Sequence, residues 1–462
     1  MKKIFLILLV FNYFYALEFT VSENGKSLND NNTILIFGGM QGDEPGGFHA
    51  ASLLISDYNI TKGKIIVAPN LAFDSIIKRA RGVKGDLNRK FAELDKNDPD
   101  YETIQRIKQL VLLPEVTMVL NLHDGWGFYH PTFVDEMKNP KRWGNSSVID
   151  MSQIKASKYQ DLEKIAQSTV NILNSKLIDE KHRYFVKNTK TEELEDTEML
   201  KALTYFVISN QKAAFANEAS KNLPVNLRAY YHLVAIENYL NIAGIEFQRN
   251  FELSPEGVKK AIDKELNIKL FGDKILLNLH KPRKHINFLP FPVSRVLDYS
   301  TSNEITAVVA DKNSFFIQYG NRFQTRITPE YFEFSDAFNE AFIIVDDEQK
   351  IVPFASKVKV KDYFIIPKIK GVRVNVIGLS VGRDESGLKV RYKQMQKPYS
   401  LDLAGKIFRV EFYELRYARL EQQITTTQAD KTIKNPKAIS TQIHAQTLQK
   451  DKFLGSILVE FE

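Results

Sequence analysis

The chain has 462 residues, 44% of them hydrophobic and 26% charged, and its 63 Lys and Arg against 56 Asp and Glu give a formal charge of +7. That length suits two or three domains of ~150 residues, and the composition is that of a chain with a packed core rather than a disordered one. No run of five Lys or Arg occurs, so nucleic acid is not an expected partner. Without cysteine there are neither disulfides nor thiolate ligands, and any metal must be held by nitrogen and oxygen.

Lys2 and Lys3 precede the apolar run Ile4–Val10, and apolar character continues to Ala16. This is shorter than the ~20 residues a membrane span needs. Residues 1–16 therefore read as a secretory signal directing the protein to the periplasm, with an uncleaved anchor as the alternative because Phe14 is bulky for a cleavage site. From residue 33 to about 245 strand-like and helix-like patterns alternate, the mark of an α/β layer fold. The expected strands are Thr33–Phe37, Lys64–Ala68, Thr117–Leu122 and Lys212–Asn217. Leu162, Ile165, Ala166, Val170 and Leu173 recur at helical spacing, and a further helix starts near Pro224 and stops at Gly244. Past residue 250 strand alternation dominates, as in Phe408, Val410 and Phe412 or Val372, Val374 and Val376. That region is too long for one small β module and divides near residue 342. Gln422–Lys452, polar and rich in Thr, Gln and Lys, reads as a long loop or hairpin.

Four stretches carry the residues with chemistry. In the first, Phe37-Gly-Gly-Met-Gln-Gly-Asp-Glu-Pro-Gly-Gly47, glycines allow a sharp turn and Pro45 suits a helix start. Gln41 and Glu44 are three residues apart, so one turn aims two oxygen donors at one point; the alternative is a polar loop capping a helix. In the second, His123 closes an apolar strand, where open α/β sheets place their sites; His49 and His130 are competitors. The third, Arg79–Phe91, combines glycines with cations that match a carboxylate, or forms a solvated basic turn. In the fourth, Glu218 ends an apolar strand as a helix cap or a general base.

In this order the stretches resemble the zinc carboxypeptidases of the carboxypeptidase A type, with Gly85-Asp-Leu-Asn-Arg89 the most specific element. Gln41 stands where that family has its first His ligand. That departure, the export signal and the β-rich extension are similar to the peptidoglycan DL-carboxypeptidases of helical Gram-negative bacteria. The resemblance implies a mixed-sheet zinc carboxypeptidase domain over residues 17–248, a small barrel-like β domain over 249–342 and an immunoglobulin-like sandwich over 343–462. It further implies one Zn²⁺ held by Gln41, Glu44 and His123, with a weaker grip than a His ligand would give. Glu218 becomes the acid/base, Arg81 the stabiliser of the oxyanion, and Asn88 and Arg89 the grip on the terminal carboxylate. Thr204 contacts the terminal residue, and Trp143, with Trp126, walls the groove. No residue takes the place of the family's mobile Tyr. The implied substrate is the muropeptide tripeptide, trimmed to dipeptide with release of meso-diaminopimelate, and the β domains become candidates for contacts with the cell wall. Two other readings remain: an amidohydrolase of small N-acyl amino acids, and a non-catalytic wall-binding scaffold.

Overall fold

The computed structural model describes residues 17–26, 32–416 and 451–462. The expected signal, residues 1–16, and residues 422–450 of the polar stretch lie outside them. The chain forms two compact units, residues 1–263 and 264–462. No described helix is long and apolar enough to cross a membrane.

The first unit runs β1 (Ser22–Lys26), β2 (Thr33–Phe37), α1 (Pro45–Ser56), β3 (Tyr58–Ala68), α2 (Phe73–Lys78), α3 (Tyr101–Leu112), β4 (Val116–Gly125), β5 (Ser146–Ile149), α4 (Leu162–Ser175), β6 (Phe185–Asn188), α5 (Leu203–Ser209), β7 (Ala213–Ser220), α6 (Val225–Ile242), β8 (Glu246–Arg249) and α7 (Pro255–Ile262). The strands make one mixed sheet in the order β1-β3-β2-β4-β7-β5-β6, with β8 also on β3. At its centre β3, β2, β4 and β7 are parallel. All five residues of β2 are buried, as a strand covered on both faces must be. Helices supply the cover: α3 buries Ile104, Ile107 and Val111 from one stripe. In α4, the capping Asp161 carboxylate accepts from the Lys164 N–H at 3.0 Å, and the helix buries Leu162, Ala166 and Leu173.

Three strands run longer than their apolar cores predict. β3 begins at Tyr58 because Asn59, Thr61 and Lys62 face solvent on a shared edge, where their polarity hides a strand that pairs with β8. β4 and β7 extend to Gly125 and Ser220, so His123 and Glu218 sit inside strand ends, and the register sets them opposite each other.

The second unit is built of strands, the β-rich continuation that the sequence predicts. Asn267–Leu270 is flanked by Ile275–Asn278 and Tyr299–Thr301. A four-stranded sheet follows in the order His285–Pro292, Arg322–Phe332, Ser314–Tyr319, Thr306–Asp311. Residues 340–414 and 452–461 then form two four-stranded sheets around one apolar core that includes Ile343, Phe364, Val374, Phe408, Val410, Phe412 and Ile457. The alternating partners Arg409, Glu411 and Tyr413 point away from this core yet are buried too. Their face is covered within the unit: Arg409 Nη2 donates to Asn287 O at 3.2 Å, and the Tyr413 ring lies 5.3 Å from that of Phe332.

Candidate active site

Parallel pairing brings the C-terminal ends of β2, β4 and β7 to one edge of the sheet. Phe37, the last residue of β2, pairs with Asn121, so the chain leaving β2 passes beside His123. It turns through Gly39, whose φ of 69° lies in the left-handed region that favours glycine. The turn delivers Gln41 and Glu44 to one point: Gln41 Oε1 and Glu44 Oε2 each lie 2.9 Å from His123 Nδ1. All three residues are buried, at 2%, 3% and 3% exposure. A single Nδ1–H cannot serve two acceptors well, so these lone pairs suit a shared cation better than a hydrogen-bond triad. The amide is fixed from behind. Gln41 Nε2 donates to Asp86 Oδ1 at 2.8 Å, which turns Oε1 toward His123, and Arg81 donates to Asp86 Oδ2 through Nε at 3.0 Å and Nη2 at 2.8 Å. Among the described residues no three His, Cys, Asp or Glu side chains cluster as a metal site, so an ion here needs the amide as its third ligand.

Behind the donors stands Asp124, fully buried. Its Oδ2 accepts the Gly46 N–H at 2.8 Å, at the start of α1, and Arg228 Nη1 at 2.9 Å. Its Oδ1 is 3.1 Å from His232 Nε2, whose ring reaches Asn217 of β7 at 2.9 Å. A Cβ at Gly46 would come within 2.4 Å of Asp124 Oδ1, so the approach requires glycine. One carboxylate thus ties the start of α1, β4, α6 and, through an imidazole, β7. Lys221 neutralises the other side of the loop, 2.5 Å from Asp43 Oδ2 and 3.4 Å from Glu44 Oε1.

Glu218 differs from these groups in making no hydrogen bond among the described residues. Burial pushes its pKa up to about 8; the His123 ring works in the opposite direction, and the charges of Glu44 and Asp124 reinforce the rise. It opens onto a cavity of about 360 Å³ that Gln41, Glu44 and His123 also line. Arg81, Asn88, Arg89, Trp126, Trp143 and Thr204 lie on its wall as well. Asn88 Oδ1 accepts from the Leu203 N–H at 3.0 Å, so its Nδ2 remains to meet a ligand. Arg89 Nη1 donates to Asn88 O at 3.0 Å, which holds the two side by side. Neither competing histidine lines the cavity: His49 is buried in α1, and the His130 ring packs 4.8 Å from Phe185.

The sequence did not single out Asp86, Asp124, Lys221, Lys141 or Arg142, all of which border the donors or the cavity. Adjacency was the available signal, since each lies within three residues of a residue singled out from the sequence.

A family model described as carboxypeptidase controlling helical cell shape, catalytic, matches residues 1–263, and one for the C-terminal domain of metallo-carboxypeptidase matches residues 334–462. The chain is similar to the apo cell shape determinant protein Csd4 from Helicobacter pylori, with 37% identity over 96% of this chain and 100% of that one and a TM-score of 0.84. The tripeptide-bound form of that protein matches with the same identity and coverage at a TM-score of 0.83. So does its mDAP-bound form, described as a D,L-carboxypeptidase, again at 0.83. No curated protein sequence matches significantly.

Proposed function

Because the chain belongs to the family of carboxypeptidases controlling helical cell shape, we propose that it is a zinc-dependent, periplasmic D,L-carboxypeptidase of peptidoglycan stems. It would remove meso-diaminopimelate from the tripeptide and leave the dipeptide. The observation that carries this reading is the approach of Gln41 Oε1 and Glu44 Oε2 to 2.9 Å from His123 Nδ1, with the untied Glu218 opposite in the sheet register. The tripeptide-bound and mDAP-bound forms of the Helicobacter relative support the substrate, and the apolar segment at residues 4–10 supports export.

The residues present fit zinc: three N and O donors converge and leave a fourth position to the cavity, as hydrolytic zinc requires. When bound, such an ion supplies Lewis-acid polarisation of the scissile carbonyl and of the attacking water. The remaining work belongs to side chains. Glu218 takes a proton from the attacking water on its carboxylate and passes it to the nitrogen of the leaving diaminopimelate. Burial raises the Glu218 pKa and a bound dication would draw it back down, so that the carboxylate can first accept the proton and then return it. Arg81, 52% exposed at its side chain and 3.6 Å from Glu44 Oε1, offers its remaining N–H groups to the oxygen on which charge develops. Asn88 Nδ2 and the Arg89 guanidinium bind the terminal carboxylate, which restricts cleavage to the last residue. Thr204 and Trp143 bound the space for that residue.

The test is mass spectrometry of muropeptides incubated with the protein, with and without a chelator. The expected result is loss of tripeptide, gain of dipeptide and free diaminopimelate, and arrest by chelation. Unchanged muropeptides in the presence of zinc would refute the reading.

A further inference from the structure

The cavity carries more positive charge than a single terminal carboxylate needs. Arg81 is committed to Asp86 and Glu44, Lys221 to Asp43 and Glu44, and Arg89 lies 3.5 Å from Glu198. Lys141 and Arg142 line the same cavity, and neither has a carboxylate partner among the described residues. Arg142 directs Nε and Nη2 to Glu136 O at 2.8 and 2.5 Å, a neutral acceptor that orients the guanidinium and leaves its charge uncompensated.

This pair sits on a loop whose shape is fixed from outside. The loop comes round on itself through a short parallel pairing of Phe128–Tyr129 with Lys138–Asn139. Lys187, on β6, then holds it at three points. Its Nζ donates to Pro140 O at 2.8 Å and lies 4.3 Å from the Tyr129 ring centroid and 4.6 Å from that of Trp143. Burial draws this ammonium down to about 8, as expected of a cation pressed between rings. Two of the three contacts, Pro140 and Trp143, flank Lys141 and Arg142, and β6 is tied to the catalytic strand through Val148, which pairs with both Ala216 and Lys187. The backbone that carries the two cations is therefore tied to the strand that carries Glu218.

The proposed substrate has a chemical feature that calls for such a pair. A glutamyl residue joined through its γ-carboxyl keeps its α-carboxylate free, one residue before the scissile bond, where an ordinary peptide has none. We propose that the clamped segment Pro140–Trp143 is a second anion subsite, in which Lys141 and Arg142 receive this α-carboxylate. The inference rests on the carboxypeptidase reading above and adds the residues that recognise a γ-linked stem.

Calorimetry on the full chain carrying Glu218→Gln, which keeps substrate intact, separates the two claims. The ligands are zinc-loaded titrations of L-Ala-γ-D-Glu-meso-diaminopimelate and of its analogue with the glutamyl α-carboxylate amidated. Amidation should weaken binding about 10- to 100-fold. Adding Lys141→Met and Arg142→Met should abolish that difference by weakening the acid alone. Lys187→Met should shrink it, with Lys187→Arg restoring much of it. Equal affinity for acid and amide in the parent, or a difference that survives the double substitution, would overturn the subsite even if the wild-type protein releases diaminopimelate. Failure of both ligands to bind, with no diaminopimelate released by the wild type, would overturn the carboxypeptidase reading and the subsite together.

Discussion

Each unit of the molecule holds a glutamate within a strand, half-buried for Glu218 and buried for Glu411. Burial pushes both Glu218 and Glu411 above the usual carboxylate range. Glu411 is tied down: Tyr413 donates to its Oε2 at 2.7 Å, and Arg409 Nε lies 3.3 Å from its Oε1. Glu218 has neighbours but no tether, and it faces a cavity. A raised pKa alone therefore does not mark a catalytic group. What separates the two is whether the structure spends that carboxyl on holding itself together or leaves it free to exchange a proton.

Removing each carboxyl is the most forceful way to break this contrast. Glu218→Gln should lower kcat by about 10²–10⁴-fold, the range for a lost acid/base group, while the melting temperature at pH 5, where the folded Glu218 carboxyl is neutral like the amide, holds. Glu411→Gln should do the reverse. Turnover stays near the wild-type rate, while stability falls by about 3–5 kcal/mol because Arg409 is left buried without a countercharge. Diaminopimelate release and thermal melts on both variants decide the matter. An unfolded Glu218 variant, or an inactive Glu411 variant of normal stability, would erase the distinction.

A subtler substitution sharpens the contrast within the first unit. Asp86 takes the Gln41 N–H donor away from the site, and in the proposed zinc centre this leaves the amide oxygen to serve as a ligand. Asp86→Asn can present its own amide and let Gln41 turn over, so metal affinity should drop about 10- to 100-fold, as for other supports of metal ligands. Competition with a chromophoric chelator measures this, and an unchanged dissociation constant would show that the Gln41 orientation is set elsewhere.

These cases also explain what the sequence made legible. Strand ends and a Gly-Pro turn marked Gln41, Glu44, His123 and Glu218 as candidates with structural alternatives, and it was their order along the chain, which resembles that of the zinc carboxypeptidases, that joined them into one site. The α/β region could be found because buried parallel strands read as unbroken apolar runs. Asp86 lay within a recognised motif, but its role depends on a contact across 45 residues to Gln41. Lys187 reads as one polar residue in a short strand, and only folding brings it to Pro140, 47 residues earlier. The alternation at Phe408–Phe412 marked a strand correctly but gave no sign that Arg409 and Glu411 are buried, because alternation reports one buried face and cannot show that the second is covered.

The smallest expected effect concerns pH and the metal-free protein. Glu218 titrates at about 8 when folded, against an ordinary value of 4.5, so between these values the folded state holds a proton that the unfolded chain releases. Its contribution to stability is complete below pH 4.5 and is lost as pH rises toward 8. His123 acts in the same direction. Burial would lower its pKa, but the hydrogen bond and charge of Glu44 outweigh burial and raise it, so its contribution is present below about 6.5 and fades as pH climbs through the raised value. Melts in chelator from pH 5 to 9 should thus fall with pH in the wild type and fall less steeply in Glu218→Gln. Added zinc should oppose the trend, because it requires an unprotonated His123 Nδ1 and its stabilisation therefore grows with pH. Parallel slopes for the two proteins would mean that Glu218 is already ionised in the metal-free fold, and the untethered carboxyl would lose its claim to be poised for proton exchange near neutral pH.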